Sequence, residues 1–246
     1  MPLYEEFVDA GSFLFRWRSY LPLVVFGIIF SCMTEFNYLG GTHTLNLIWE
    51  MVCLSVSFFG LFIRCYTIGH TPENTSGRNT TSQIADQLNI DGIYSVTRNP
   101  LYLGNFFMML GVIMFPHVWW VGLIYVLSFW LYYERIIFAE EDFLRKKFGQ
   151  EYEDWAKQTH AFWPDFKHWR KHALPFSLRN VLKREYSGFF GVISSFMVLE
   201  LIADYIIYGS FVIDWIWTSI FICSLVIYLT LRTLKKKTRL LHVEGR

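Results

Sequence analysis

Apolar residues run along this chain in stretches close to the roughly 20 residues a helix needs to cross about 30 Å of hydrocarbon. They predict spans from about Leu21 to Leu39, Leu45 to Ile68, Pro100 to Phe115, Val118 to Phe138, Gly188 to Tyr208 and Ile213 to Leu231. Gly40-Gly41-Thr42 ends the first, and Pro116-His117 turns the third into the fourth, making a membrane hairpin. A polar loop, GHTPENTSGRNTTSQIADQLN, separates the second from the third. Ahead of the first span, FLFRWRSY sets Arg16 and Arg18 among aromatics, as suits an interfacial helix or a snorkelling anchor for the span that follows. After the hairpin, EEDFLRKKFGQEYEDWAKQTHAFWPDF is too charged to span. Phe148, Tyr152 and Trp155 fall there at i, i+4 and i+7, which predicts an amphipathic helix on the membrane face or over a pocket, with Gly149 interrupting its pattern. A basic linker from about His168 to Arg184 leads into the last two spans, and LRTLKKKTRLLHVEGR closes the chain. The fold class is therefore an all-α integral membrane protein of about six transmembrane helices, built on a helical hairpin.

Composition agrees with that reading: 53% of residues are hydrophobic, 17% are charged and 20% are aromatic rings, which favour the lipid–water boundary. The acidic start MPLYEEFVDAG is unlike a cleavable signal, so the first span is expected to stay. Cys32, Cys53, Cys65 and Cys223 sit singly in apolar runs, without CxxC spacing, which suits packing and argues against a metal site.

Charge placement gives the orientation. Of 22 Lys and Arg residues, 11 lie between Arg135 and Arg184, 6 from Arg232 onward, 3 from Arg64 to Arg98, and 2 before the first span. None falls in the alternate turns at Gly40, Pro116 and Gly209. Both termini, the 69–98 loop and the 139–186 segment are expected to be cytoplasmic.

Charged side chains at membrane depth are costly and so mark candidate sites. Glu134 and Arg135 precede the acidic run Glu140-Glu141-Asp142, while Glu200 and Asp204 share one face of the fifth span and suit a cation, a polar head group or partners on neighbouring helices. Glu35, Glu50 and Arg64 lie near span ends, where snorkelling accounts for them. The densest constellation is DGIYSVTRNPLYLG, from Asp91 to Gly104. Pro100 confines Asn99 to extended backbone and suits the first turn of a helix, so Arg98 and Asn99 stand before its free N–H groups. Such a helix start, with a guanidinium beside it, favours a carboxylate or phosphate. Tyr94 and Tyr102 can stack or donate, Gly92 and Gly104 permit close approach, and Glu140 and Glu141 can accept from amino or ribose hydroxyl groups. A zwitterionic, ribose-bearing ligand would satisfy both halves; a well-capped helix start with a snorkelling Arg98 is the plain alternative.

These residues resemble a known family. Gly92, Tyr94, Arg98, Asn99, Pro100, Tyr102 and Gly104, then after a hairpin Glu140, Glu141, Phe148, Gly149, Tyr152 and Trp155, are similar to the signature of isoprenylcysteine carboxyl methyltransferases and the related phospholipid methyltransferases. The resemblance covers about Gly92 to Pro164. It implies S-adenosylmethionine held between the two motifs on the cytosolic side, a lipid or lipid-anchored acceptor from the bilayer, and no nucleic acid. Arg98, Asn99 and Glu140 are the implied catalytic residues. Gly92, Tyr94, Arg98, Pro100, Tyr102, Gly104, Glu140 and Glu141 are the implied cofactor contacts.

Two positions depart from the pattern: the usual His is Asn99, and a His often found before the first glycine is Asp91. Asn cannot shuttle a proton near neutral pH, which turns position 99 toward binding and the acceptor toward an anionic oxygen, a carboxylate or lipid phosphate. TSGRNT and the REYSGFFG-led final spans resemble a bacterial branch in which some members methylate a lipid A phosphate. The chain divides into 1–90, an anchor with two spans and a loop; 91–164, the methyltransferase-like core; and 165–246, the linker, last spans and basic tail. An NADPH-dependent sterol or isoprenoid reductase of related architecture, and a non-enzymatic lipid-binding protein, are the alternative readings.

Overall fold

The computed structural model describes residues 2–34, 36–75 and 84–246, so Glu35 and most of TSGRNT, with Arg78, lie outside the described residues. Among the described residues the chain is helical throughout: α1 (Leu3–Trp17), α2 (Leu21–Met33), α3 (His43–His70), α4 (Pro100–Met114), α5 (Trp119–Phe148), α6 (Gln150–Gln158), α7 (Leu178–Tyr208) and α8 (Trp215–Lys237). Four of these, α3, α5, α7 and α8, are long and apolar enough to cross a membrane. The other two expected spans are shorter. α2 has 13 residues and α4 has 15, so at 1.5 Å per residue each covers only about 20 Å. Proline sets both ends of α4: Pro100 occupies its first turn, and Pro116 follows its last.

Local chemistry starts and stops the long helices. The Thr42 hydroxyl accepts from Leu45 N, the Ser177 hydroxyl from Asn180 N, and the Asp214 carboxylate from both Ile216 N and Trp217 N, satisfying donors that a helix start leaves orphaned. α5 runs about ten residues beyond its expected membrane stretch, and α7 begins ten residues before its own, because charged residues end a hydrocarbon crossing without ending a helix. The expected stripe of Phe148, Tyr152 and Trp155 on one helix is corrected in the same region. Gly149, at φ 55° and ψ −123°, breaks the chain there, so Phe148 ends α5 while Tyr152 and Trp155 are buried on α6.

The helices pack in the order α8, α7, α3, α4, α5, α1. α3 and α4 meet through small residues: a Cβ added at Gly60 would lie 2.4 Å from the Gly104 carbonyl oxygen, and the Ser57 hydroxyl donates to Met108 O at 2.9 Å. Small residues are what allow two membrane helices to approach so closely. Gly60→Ala is accordingly expected to cost about 1–3 kcal/mol of stability in detergent unfolding. Gly191→Ala, with nothing within 4 Å of the added Cβ, should be neutral or slightly stabilising, and equal behaviour of the two variants would refute the close contact.

α1 lies antiparallel along the charged end of α5, with Phe7 edge-on to Phe138 and the Tyr132 hydroxyl donating to Leu14 O at 3.0 Å. The core fills from α3, α4, α5 and α7. Phe115, Ile136 and Phe196 are fully buried, and Tyr125, Phe129 and Tyr133 stack along α5 toward Tyr102.

At the end opposite the charged motifs, Glu50 and Glu200 face each other between α3 and α7, and Asn46 donates to Glu50. Asp204 stands nearby, and the Tyr38 and Tyr208 hydroxyls pair at 2.9 Å. Glu50 does not snorkel: it is 5% exposed, because α7 covers it. Among the described residues no His, Cys, Asp and Glu group is arranged to hold a metal ion.

Candidate active site

A cavity of about 690 Å³ opens at the charged end of the bundle. Its walls bring together residues that are far apart in the sequence: Arg18 after α1, Arg64 on α3, Arg98 to Tyr102 at the start of α4, Glu140 and Glu141 on α5, Tyr152 and Trp155 on α6, and Glu185 on α7. Of the sequence-derived candidates, Tyr94, Arg98, Asn99, Pro100, Tyr102, Glu140 and Glu141 all line it. Gly92 and Gly104 do not. Gly104 abuts Arg64 and Gly60 on α3, while Gly92 lies against the His172 ring, which an added Cβ would approach to 1.9 Å.

Arg98 is heavily engaged. Its Nε and Nη2 donate to Glu141 Oε1 at 2.9 and 2.6 Å, and its Nη1 donates to the carbonyls of Ala156 and Thr159 at 2.9 and 2.5 Å. One guanidinium thus ties α5 to the C-terminal end of α6, where carbonyls lack helical partners and the helix dipole favours a cation. Asn99 donates from Nδ2 to Ala161 O at 2.9 Å, so its amide fixes the loop that follows α6. Trp155 closes the arrangement by donating from Nε1 to Tyr94 O at 3.0 Å. The two motif halves therefore hold each other around the cavity.

Deeper in, the Tyr102 hydroxyl donates to Glu140 Oε1 at 2.8 Å, and Arg18 reaches both, with Nη1 at 3.3 Å from the hydroxyl and 3.6 Å from the carboxylate. By its sequence position Arg18 suits an interfacial helix or a snorkelling anchor. Its side chain is instead 14% exposed and packed with its guanidinium 3.8 Å over the Phe15 ring, because α1 docks on α5 and aims its last residues into the cavity. Arg64 is corrected in the same way. It forms a bidentate pair with Glu185, at 2.8 Å on both oxygens, and donates to Asn105 Oδ1 at 2.8 Å. Glu185 belongs to the REYSGFFG segment, whose presence hinted at a role for α7, but no spacing rule could pair it with Arg64.

Tyr152 is fully buried on the cavity wall, and its hydroxyl makes no well-formed hydrogen bond among the described residues. Burial, followed by the nearby Glu141 charge, pushes its ionisation well above the usual tyrosine range, so it stands as a neutral donor. The Glu141 carboxylate lies close enough to accept from it, so the hydroxyl stands between Glu141 and the cavity.

Residues 48–151 match the phospholipid methyltransferase family. That segment carries most of α3, all of α4 and α5, the first motif half and, of the second, Glu140, Glu141, Phe148 and Gly149, while Tyr152 and Trp155 fall just beyond it; the match bears out the resemblance read from the sequence and supports a membrane methyltransferase. Among curated proteins, the chain is 27% identical over 113 residues to a protein-S-isoprenylcysteine O-methyltransferase of Schizosaccharomyces pombe, covering 46% of this chain and 48% of that protein. It is 34% identical over 89 residues to a nickel-cobalt-cadmium resistance protein, NccN, of Alcaligenes xylosoxydans xylosoxydans, covering 36% of this chain and 39% of that protein. The chain thus spans less than half the length of the curated relatives it matches. No solved structure matches it. The phospholipid methyltransferase match ends at Glu151, so α7 and α8, including Glu185, lie beyond it.

Proposed function

We propose that this chain transfers a methyl group from S-adenosylmethionine to an oxygen of a membrane-embedded lipid, a carboxylate or a lipid phosphate, with lipid A phosphate among the acceptors that fit. We place the site on the cytosolic face, with both termini on that side, from the distribution of Lys and Arg. The observation that carries the reading is the single cavity in which both motif halves meet beside apolar residues of α4 and α5. Its size falls in the roughly 300–1,000 Å³ range of small-molecule sites.

The residues present fit the cofactor. The free N–H groups at the α4 start and the Tyr152 hydroxyl offer donors, while Glu140 and Glu141 offer acceptors for amino and ribose hydroxyl groups. When bound, S-adenosylmethionine supplies an electrophilic methyl group on a sulfonium. The protein's own part is positional. Arg98 and Asn99 hold α6 and the loop after it as one wall, Tyr102 orients Glu140, and Tyr133, 4.6 Å from Tyr102 between ring centres, forms the apolar side. An anionic oxygen is already deprotonated, so no residue has to remove a proton, and alignment supplies most of the advantage. Asn99 is compatible with this requirement, since it binds without titrating.

Purified protein is expected to be thermally stabilised by S-adenosylmethionine and, incubated with methyl-labelled cofactor and total membrane lipid, to label a lipid-soluble product stable to mild acid. Stabilisation by NADPH and not by S-adenosylmethionine would overturn the proposal in favour of a reductase.

A further inference from the structure

We infer a second site: a cleft between α7, the end of α8 and the chain after it, which holds the phosphate-bearing head group of an anionic membrane lipid. The cleft, of about 430 Å³, is lined by Lys183, Lys235, Thr238, Arg239, Leu241 and His242. Three of these six side chains are Lys or Arg and a fourth is an imidazole. Among the described residues no side-chain carboxylate lines the cleft.

The cleft is built, not a chance run of lysines. α8 ends at Lys237 with Thr238 N bonded to Leu234 O at 3.0 Å, and the chain then turns back on itself, with His242 N bonded to Arg239 O at 2.9 Å. Leu241 is buried and anchors the returning segment. Arg246 locks it to the bundle by donating from Nη1 to Gly69 O at 2.9 Å and Pro175 O at 2.7 Å, and Lys183 on α7 donates to the Arg246 main-chain oxygen at 3.2 Å. Lys235 is held 5.5 Å over the Tyr186 ring. Lys183 and Lys235 are thus fixed on neighbouring helices, with Arg239 facing them from the returning segment.

The level of the cleft selects the ligand. α8 is largely apolar up to Leu231 and carries Arg232 and then Lys235, Lys236 and Lys237 in its last two turns, so the cleft stands where the helix leaves hydrocarbon and lipid phosphates lie. Cations converging on a small volume favour a phosphate, and the apolar α7–α8 flank, with Val226 and Ile227 exposed, gives acyl chains a surface to follow. Lys183 also stands two residues before Glu185, which lines the 690 Å³ cavity, so the two sites lie on different faces of the same turn of α7.

The test uses the full chain in detergent, with binding of short-chain phosphatidylglycerol read by native mass spectrometry and by thermal shift. Phosphatidylcholine and inorganic phosphate are the comparison probes. Lys235→Gln with Arg239→Gln is expected to weaken phosphatidylglycerol binding by about tenfold or more, and Lys183→Gln to weaken it by a smaller factor. Lys236→Gln with Lys237→Gln removes the same charge from exposed neighbours outside the cleft and should change binding by less than about twofold. Equal losses in the two double variants would overturn the site in favour of a diffuse basic surface. Equal binding of phosphatidylcholine would refute phosphate selection by charge, and equal occupancy by inorganic phosphate would remove the lipid as its source.

Discussion

Glu185→Ala is expected to lower the stability of the folded chain by about 3–5 kcal/mol in detergent unfolding, the range seen when one partner of a buried ion pair is removed. Glu185 is 3% and Arg64 13% exposed at the side chain, so the guanidinium left behind stays largely out of water. Asn105 still accepts from Arg64 Nη1, but a neutral amide oxygen cannot balance the charge. The loss has a definite structural place: α3 and α7 are neighbours in the bundle, and this pair ties their charged ends together. Replacing both residues by methionine should cost far less than the single substitution, since the attraction of a buried pair is largely offset by its desolvation. A Glu185→Ala protein as stable as the parent would show that the pair is hydrated and not a buried clamp.

Much of the bundle was legible in the chain. Pro100 marks the α4 start and Gly209 the turn after α7, while the caps at Thr42, Ser177 and Asp214 emerge only in the structure. What hydropathy could not give was helix extent. It marks the hydrocarbon crossing, and α5 and α7 each continue about ten residues past it because their charged turns keep an unbroken backbone ladder. The first apolar stretch failed in the other direction, since Leu21 to Leu39 is apolar enough to suggest a span while the helix in it stops at Met33.

The cavity was legible as two motif halves in the right order, which brought Arg98, Asn99, Tyr102, Glu140 and Glu141 to one place. Its other cations were not. Arg18 and Arg64 look like snorkelling residues by position, and their burial depends on α1 docking along α5 and on Gly60 letting α3 close on α4. Pairing between Arg64 and Glu185, 121 residues apart, is a property of helix crossings that no local pattern encodes.

Arg98→Ala is expected to abolish methyl transfer and to weaken S-adenosylmethionine binding by at least about tenfold, while lowering stability by about 3 kcal/mol. The reason differs from the one the sequence suggests. A guanidinium before a helix start looks like a counter-charge for a ligand carboxylate, yet four of its hydrogen bonds go to Glu141, Ala156 and Thr159. Its removal frees two carbonyls at the end of α6 and leaves Glu141 without its cation, so Tyr152 and Trp155 lose their fixed position on the cavity wall. Arg98→Lys separates the two roles. A lysine keeps the charge but cannot bridge a carboxylate and two carbonyls with one planar fork, so loss of binding with Arg98→Lys nearly as large as with Arg98→Ala identifies the clamp as the working part. Binding retained by the lysine variant would return Arg98 to the counter-charge role, and unchanged binding in a folded Arg98→Ala protein would remove it from the site altogether. Glu141→Gln gives an independent check, because it weakens the same clamp from the other side while leaving Arg98 free to meet an anionic ligand. If the clamp governs binding, Glu141→Gln loses affinity along with Arg98→Ala; if direct charge governs it, affinity is kept or rises.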